Sequence, residues 1–209
     1  MIPRRIIGVM SGSSLDGLDL ALCVFRGSYR HPEWSLEQHT KVSFPDTLKP
    51  RLANAHHASG FELMQLDADF GSFIGQEIKQ WMQNESISAD YIASHGHTVF
   101  HEPSLGFTTQ IGSGSHIAHI TGIDTITSFR NADVAAGGQG APFAPIADSA
   151  LFPGYDGYLN FGGIANVHII SEEEHAKAWD IGPCNQVLNF LAEKLGKEYD
   201  ANGDIAKKI

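Results

Sequence analysis

The segment GVMSGSSLDGLDLALCVF at residues 8–25 joins two apolar runs through a turn rich in glycine, serine and aspartate. The runs RRIIGVM at 4–10 and LDLALCVF at 18–25 are typical of the two strands of a hairpin. A plain hairpin turn needs only two or three residues. Residues 11–17 instead carry three serines, two glycines and an aspartate. The segment therefore predicts a hairpin that opens a sheet and whose tip holds a ligand.

The residues that follow predict a mixed sheet with helices packed on it. The segment at 33–44 alternates apolar and polar residues and would add a third strand to the hairpin. Residues 61–83 repeat apolar residues every 3.6 positions, which indicates a long amphipathic helix. A short strand at 90–94, a helix at 115–122 and a strand at 123–129 complete a β-β-β-α-β-α-β order. This order is typical of the α/β class.

The second half of the sequence restarts the same plan. Residues 130–145 are rich in glycine, alanine and proline, so we expect a linker or functional loop there without a regular element. YLNFGGIANVHII at 158–170 again gives a strand, a Gly-Gly turn and a strand. We therefore predict a first domain at residues 1–142 and a second at 143–209. Because the repeat stops early, the second domain is expected to be incomplete.

Composition excludes several classes of partner. The 209 residues include 14 Lys and Arg against 24 Asp and Glu, a formal net charge of −10. An acidic chain of this kind is not expected to bind nucleic acid or an anionic membrane. Two cysteines do not make a disulfide framework, and no apolar run reaches the 18 residues typical of a membrane span. We expect a cytoplasmic protein.

The opening hairpin has the composition of a phosphate-binding loop. Neither a Walker A sequence nor a GxGxxG sequence occurs. Glycine amides and serine hydroxyls at the hairpin tip would instead surround an anion, and Asp16 or Asp19 would engage a hydrated Mg²⁺. The residues of this loop are Ser11, Gly12, Ser13, Ser14, Leu15, Asp16, Gly17, Leu18 and Asp19.

A second loop of this kind is DIGPCN at residues 180–185. Here Asp180 ends a strand, and Gly182 with Pro183 is expected to turn the chain into a helix N-terminus. Helix N-termini favour anions. A carboxylate beside a bound phosphate in a closed cleft is suited to act as a general base.

Histidines and an Arg–Asp pair form a third set of candidates. His95, His97 and His101 lie near a predicted strand end, where we favour hydrogen bonding to a substrate over a metal site. Arg130 and Asp133 flank the glycine-rich loop. They would either contact a ligand or pair with each other.

Seven segments of the chain resemble, in order, those of the bacterial anhydro-N-acetylmuramic acid kinases, members of the actin/hexokinase/Hsp70-like ATPase superfamily. The segments are GVMSGSSLDGLDLAL, ASHGHTVFHEP, TQIGSGSHIAHITGI, FRNADVAAGGQGAPFAP, LNFGGIANV, DIGPCNQVLN and YDANG. The resemblance implies an α/β fold of the actin-like ATPase (ribonuclease H-like) type, with mixed sheets, flanking helices and an incomplete second domain. Among the departures, His97 and Ile181 stand where the family usually has Gln and Thr.

The resemblance also implies an activity and its residues. Such kinases use ATP and Mg²⁺ to open 1,6-anhydro-N-acetylmuramic acid with water and to phosphorylate O6 during cell-wall recycling. Asp180 would be the general base, and His97, Arg130 and Asp133 would line the sugar site. Residues that would bind the nucleotide are Gly12, Ser13, Ser14, Leu15, Asp16, Gly17, Leu18, Asp19, Gly162, Gly163 and Gly182. The implied partners are ATP, the anhydrosugar and a second copy of the chain; the alternative is a non-catalytic, sugar-binding fragment.

Overall fold

The computed structural model describes residues 2–12, 15–28, 31–141, 143–170 and 177–208, and the chain divides into two units, Met1–Ala141 and Pro142–Ile209. The elements of the first unit are β1 (Arg4–Ser11), β2 (Leu18–Ser28), β3 (His31–Val42), α1 (Lys49–Ala53), a 3₁₀ turn (Ala55–His57), α2 (Gly60–Glu85), β4 (Tyr91–Ser94), β5 (His97–Glu102), a 3₁₀ turn (Pro103–Leu105), β6 (Phe107–Ile111), α3 (Gly114–Thr121), β7 (Thr125–Ile126) and α4 (Phe129–Ala135). Those of the second unit are α5 (Ala144–Leu151), β8 (Gly157–Phe161), β9 (Ile164–Ile169), β10 (Lys177–Pro183), α6 (Asn185–Lys194) and two 3₁₀ turns (Ala201–Gly203, Ala206–Lys208).

The first unit is built on a mixed sheet with the strand order β3-β2-β1-β4-β7. The strands β1, β2 and β3 form an antiparallel meander, whereas β4 pairs parallel to β1 and β7 parallel to β4. The predicted α/β class with a mixed sheet and packed helices is therefore confirmed.

Alternation along the hairpin strands places one face of the sheet in the core. Ile7 pairs with Leu22 and Val9 pairs with Leu20 across β1 and β2, and all four side chains are buried. Because side chains alternate between the two faces of a strand, this register puts every second residue of both strands inside. The two-residue period seen in the sequence thus determines which face is covered.

The helix α2 covers that face, and its apolar stripe is the predicted one. Its side chains in the same core cluster as Ile7 and Leu20 are Leu66, Phe70, Ile74, Ile78 and Trp81. The helix begins with a capping box, in which the Glu62 amide donates to Ser59 Oγ and the Ser59 amide donates to the Glu62 carboxylate. None of the helices in the described part of the chain has the length and apolar character that crossing a bilayer requires.

Two expectations are corrected, and the first is the strand at 123–129, which is only the two-residue β7 before α4 begins at Phe129. Residues 130–145 were expected to lack regular structure, but α4 spans Phe129–Ala135 and α5 begins at Ala144. The alanines of this segment are good helix formers, and its glycines follow α4 instead of interrupting it. The antiparallel hairpin of β5 and β6 was not predicted either, because the histidines and the short polar run between 97 and 111 mask the alternation.

After α5, the second unit has a strand, a Gly-Gly turn and a strand, comparable to the glycine-containing hairpin that opens the first unit. β8 and β9 pair antiparallel around Gly162 and Gly163, and β10 pairs antiparallel with β9. One expectation is wrong here, because Gly182 and Pro183 continue β10 and do not form a turn. The pairing of β10 with β9 shifts register between Asp180 and Gly182, as at a β-bulge.

At Gly71, α2 passes close to the backbone at the start of α3. A Cβ built on Gly71 would lie 2.6 Å from the carbonyl oxygen and 2.7 Å from the nitrogen of Ser113. These are backbone atoms that carry the chain from β6 into α3, so they cannot move aside as a side chain would. At Gly60, also in α2, a Cβ would meet nothing within 4 Å.

We expect Gly71→Ala to lower the free energy of unfolding by about 1–3 kcal/mol, because the added methyl group overpacks the junction between α2 and α3. The measurement is urea denaturation followed by circular dichroism. The control, Gly60→Ala, is expected to be neutral or stabilising by up to about 1 kcal/mol. Equal stabilities of the two variants would contradict the close approach at Gly71.

Candidate functional site

The carboxyl ends of three parallel strands meet at one edge of the first unit's sheet. Val9 of β1 is in register with Ser94 of β4, and Ala93 of β4 is in register with Ile126 of β7. In open α/β sheets, ligands bind outside the carboxyl ends of the strands. The residues that follow these three strands form the candidate site.

After β1 comes the tip of the opening hairpin. The Leu15 amide donates to the Gly12 carbonyl, and Leu15 has a left-handed φ of 51°. Gly17 has a φ of 143°, and a Cβ there would lie 2.8 Å from the Val42 carbonyl oxygen. Glycine is therefore required at position 17 both by conformation and by space. Ser13 and Ser14, predicted to bind phosphate, lie outside the described residues.

A lysine that the sequence did not single out neighbours both predicted metal ligands. Lys41 Nζ lies 2.9 Å from Asp16 Oδ2 in a half-exposed ion pair. Lys41 is also the cross-strand partner of Asp19, whose side chain is exposed. In the described residues, no group of three or more His, Cys, Asp or Glu side chains could hold a metal ion. The carboxylate of Asp19 suits Mg²⁺ by its chemistry, whereas a cation at Asp16 must compete with the Lys41 ammonium.

His97 connects the hairpin to the edge of the sheet. It is the first residue of β5, it is 6% exposed, and its Nδ1 lies 3.4 Å from Ser11 Oγ at the end of β1. Burial lowers the pKa of His97, and the nearby His95 lowers it further. The neutral ring is therefore the favoured form near neutral pH.

His95 occupies the bend between β4 and β5. Gly96 has a left-handed φ of 72°, so the chain turns between His95 and His97. The ring of His95 hydrogen-bonds through Nδ1 to the Gly96 carbonyl at 2.8 Å and contacts the Phe129 ring. Burial lowers the pKa of His95, and the Arg130 charge acts in the same direction. His95 therefore lies close enough to both His97 and Arg130 for electrostatic interaction with each.

Arg130 and Asp133 both lie on α4, but they do not form an ion pair with each other. The ion pairs within the described residues do not join them. Arg130 Nε is buried without a hydrogen-bond partner. Asp133 instead accepts a hydrogen bond from the Gly140 amide at 2.7 Å, and its carbonyl accepts one from the Gly138 amide at 2.8 Å. Asp133 therefore holds the glycine-rich loop, and Arg130 remains available to a ligand.

A polar cavity of ≈ 250 Å³ lies beside these residues. Ser94 and His95 line it from the end of β4, Gln110 from β6, and Ser128 from the start of α4. Three polar atoms of its lining are buried without a partner: Ser94 Oγ, His95 Nε2 and Gln110 Oε1. Ser94 and Gln110 could not be identified from the sequence as neighbours, because their proximity depends on strand pairing across more than ten residues.

In the second unit, the predicted nucleotide-binding glycines hold the start of α6. The Gly163 carbonyl accepts from the amides of Cys184 and Gln186, and the Gly162 carbonyl accepts from the Asn185 amide. The next two amides, at 187 and 188, donate to the Cys184 carbonyl. The backbone therefore already uses the amides that an anion at this helix N-terminus would need.

Asp180 lies on β10, in register with Asn166 of β9, and its side chain is exposed. It directly precedes the register shift that ends at Gly182. A bulge re-aims the side chains beside it. The carboxylate therefore lies on a strand and is open to solvent.

Comparison with known proteins places this arrangement in a family. The family model described as anhydro-N-acetylmuramic acid kinase matches residues 4–209. Curated proteins of that name are similar to the chain: one from Pseudoalteromonas translucida (strain TAC 125) is 36% identical over 98% of this chain and 56% of its own length. Others are from Trichormus variabilis, 34% identical over 98% and 58%, and Pseudomonas fluorescens, 35% identical over 96% and 56%. The chain spans a little more than half the length of these relatives.

We expect Asp133→Ala to release the glycine-rich loop. Removing the carboxylate leaves the buried Gly140 amide without its acceptor, so its hydrogen exchange is expected to accelerate roughly tenfold. Amide exchange followed by NMR measures this. Asn131→Ala, an exposed change on the same helix, is the control. An unchanged exchange rate at Gly140 would show that the carboxylate does not hold the loop.

We expect His97 to make the protein less stable in mild acid. Its folded pKa is below the unfolded value of about 6.5, so the unfolded state binds more protons as the pH falls through that value. The associated stability is complete above about pH 6.5 and is lost progressively as the pH falls toward the folded pKa.

Denaturation at pH 7.5, 6.5 and 5.5 tests this, with His97→Gln predicted to reduce the loss of stability. The exposed His119 provides the control, because His119→Gln is expected to leave the pH profile as it is. Identical profiles for wild type and His97→Gln would contradict the assignment.

Proposed function

The chain belongs to the anhydro-N-acetylmuramic acid kinase family, and we propose that it provides the hairpin, sugar-site and general-base residues of a kinase that opens 1,6-anhydro-N-acetylmuramic acid and phosphorylates O6. The observation that carries the proposal is the extent of the family match, residues 4–209, which includes the hairpin, His97, α4 and Asp180 together. A reaction that consumes ATP is expected in the cytoplasm.

The proposed fold is actin-like, with two related domains that are divided near residue 142 of the chain. Two features support it. The first unit has an antiparallel meander followed by parallel strands, in the order β3-β2-β1-β4-β7. The second unit begins with another antiparallel meander, β8-β9-β10, which opens with a comparable strand, glycine turn and strand.

In the proposed reaction, Asp180 accepts a proton from a water molecule as the water oxygen bonds to C1 of the sugar. The C1–O6 bond breaks, and O6 bonds to the γ-phosphorus of ATP as the bond to ADP breaks. Because ring opening itself makes O6 a nucleophile, the protein needs to supply mainly positioning and charge neutralisation. Asp180 is the carboxylate that the family resemblance assigns to this proton transfer, and it lies on β10 beside the shift of register.

The other residues would bind and orient the two substrates. The hairpin at residues 12–19 would surround the phosphates of ATP, with Lys41 contributing a positive charge beside Asp16. Mg²⁺, when bound, would neutralise phosphate charge, and the carboxylate of Asp19 or Asp16 would hold it. The unpartnered Arg130 Nε and the neutral His97 would bind the sugar, and Asp133 would keep the neighbouring loop in place.

The test uses the purified 209-residue chain with ATP, Mg²⁺, 1,6-anhydro-N-acetylmuramic acid and ¹⁸O-labelled water. We expect a sugar product heavier by one phosphoryl group and one labelled water, detected by mass spectrometry. Asp180→Asn is expected to lower the rate by at least roughly 10²-fold, because the general base is removed. Asp156→Asn, an exposed aspartate of the same unit, should leave the rate unchanged.

Other outcomes discriminate between the alternatives. Sugar binding without product would support the non-catalytic, sugar-binding role and overturn the catalytic proposal for this chain. Product without ¹⁸O would contradict attack by water, and full activity of Asp180→Asn would remove Asp180 from the role of base.

A further inference from the structure

A row of polar side chains crosses the three-stranded sheet of the second unit. Asn160 of β8 pairs with Asn166 of β9, and Asn166 pairs with Asp180 of β10. Directly paired residues of antiparallel strands point to the same face of the sheet, with Cβ atoms about 4.5–5.5 Å apart. Two carboxamides and the carboxylate of Asp180 therefore lie side by side on one face.

Local sequence preference does not account for this row. Asparagine and aspartate are both depleted in β-strands. The two neighbouring rows carry apolar side chains or glycine; they are Leu159, Val167 and Trp179, and Phe161, Ala165 and Gly182. A departure from local preference that is repeated on three adjacent strands is expected at a functional site.

The polar groups of the row are open to a ligand. Asn160 and Asp180 are exposed, and Asn166 is half-buried. Among the described residues of the second unit, the side-chain hydrogen bonds and ion pairs join other groups. A carboxylate only accepts hydrogen bonds, whereas each carboxamide has one acceptor oxygen and one donor nitrogen. Asn166 and Asp180 therefore offer two neighbouring acceptor oxygens to one water molecule, which has two O–H donors.

Of the two asparagines, Asn166 is the one that can share a water with Asp180. Adjacent strands lie about 4.8 Å apart, so Asn160, two strands away, is roughly 10 Å from Asp180. Asn160 Nδ2 lies 3.8 Å from the position that a Cβ on Gly162 would take, which places this side chain beside the Gly-Gly turn. Asn166 is the immediate neighbour of Asp180 in the ladder.

We propose that Asn166 holds the attacking water against Asp180. The inference rests on the proposed function, in which Asp180 accepts a proton from that water. The water donates one O–H to Asp180 and the other to Asn166 Oδ1, which leaves an oxygen lone pair for C1 of the sugar. As the oxygen bonds to C1 and the C1–O6 bond breaks, the first proton passes to Asp180. The O–H that faces Asn166 is retained and becomes the 1-hydroxyl of the product.

The first test offers methanol as a competing nucleophile to the purified chain with ATP, Mg²⁺ and 1,6-anhydro-N-acetylmuramic acid. Mass spectrometry gives the ratio of methyl glycoside to free sugar among the phosphorylated products. Methanol has a single O–H, which Asp180 requires, so a methyl group would face Asn166 where water presents a donor. We expect Asn166→Ala to raise the methanol-to-water ratio roughly tenfold, because the hydrogen bond that favours water is lost. Both products come from the same active molecules, so the ratio does not depend on how much of the variant is folded.

Initial rates in water give a second readout. We expect Asn166→Ala to lower kcat roughly tenfold and to leave the KM for the sugar within about twofold, since the lost contact is made to water and not to the sugar. The control is Asn189→Ala, at a half-buried asparagine of α6, which should leave both kcat and the product ratio unchanged.

A third measurement does not need turnover. A high-resolution crystal structure of the chain is expected to show one ordered water within about 2.5–3.0 Å of both Asn166 Oδ1 and a carboxylate oxygen of Asp180. The same water should be absent from the structure of Asn166→Ala, because one of its two acceptors is removed.

An unchanged product ratio in Asn166→Ala, or the absence of a shared water in the wild-type structure, would overturn the proposal. Its failure is distinguishable from failure of the proposed function. If the shared water is present but no phosphorylated product forms, the water site stands and the catalytic proposal for this chain fails. If product forms with labelled oxygen and Asn166→Ala changes neither the ratio nor kcat, the reaction stands and Asn166 has no part in it.

Discussion

The parallel pairing of β1 with β4 is the constraint on which the candidate site depends. Its register, Val9 with Ser94, brings the hairpin tip, the bend at His95 and the start of α4 to one edge of the sheet. The pairing is held by the apolar face that α2 covers, and that face follows from strict alternation in β1 and β2. A slip of one residue would move Ile7 out of the core and displace every polar group at the edge. Packing far from the site therefore sets its geometry.

At that edge of the sheet, several buried polar atoms lack hydrogen-bond partners. Ser94 Oγ, His95 Nε2, Gln110 Oε1 and Arg130 Nε are buried without partners, each at a cost of roughly 1–3 kcal/mol. The core residues of α2 supply the stability that offsets this cost. Unsatisfied groups of this kind are concentrated where a ligand completes them, and in this unit they lie on one cavity and the adjoining helix. The second unit has such an atom too, His168 Nε2, although Gly162 and Gly163 satisfy the start of α6 with the protein's own backbone.

Local patterns made much of the fold predictable. The two-residue period of the opening hairpin and the 3.6-residue period of residues 61–83 gave β1, β2 and α2 with bounds close to those observed. The wrong predictions concern segments whose composition is typical of a turn or loop but which form a helix or a strand in the folded protein. Residues 130–145 look irregular because glycine and proline surround a helix-forming run, and Gly182 with Pro183 look like a turn although β9 keeps them in a ladder.

The sequence by itself determined the α/β class, the family resemblance and the residues of the phosphate-type hairpin, because periodicity and motif order are properties of neighbouring residues. Only the tertiary structure decided that Lys41 pairs with Asp16, that Asp133 holds the loop at Gly140 while Arg130 remains unpartnered, and that Ser94, His95 and Gln110 share a cavity. These contacts join residues on different elements. Their formation depends on strand register and helix packing. Both are determined by interactions throughout the folded unit and not by the residues of any short segment.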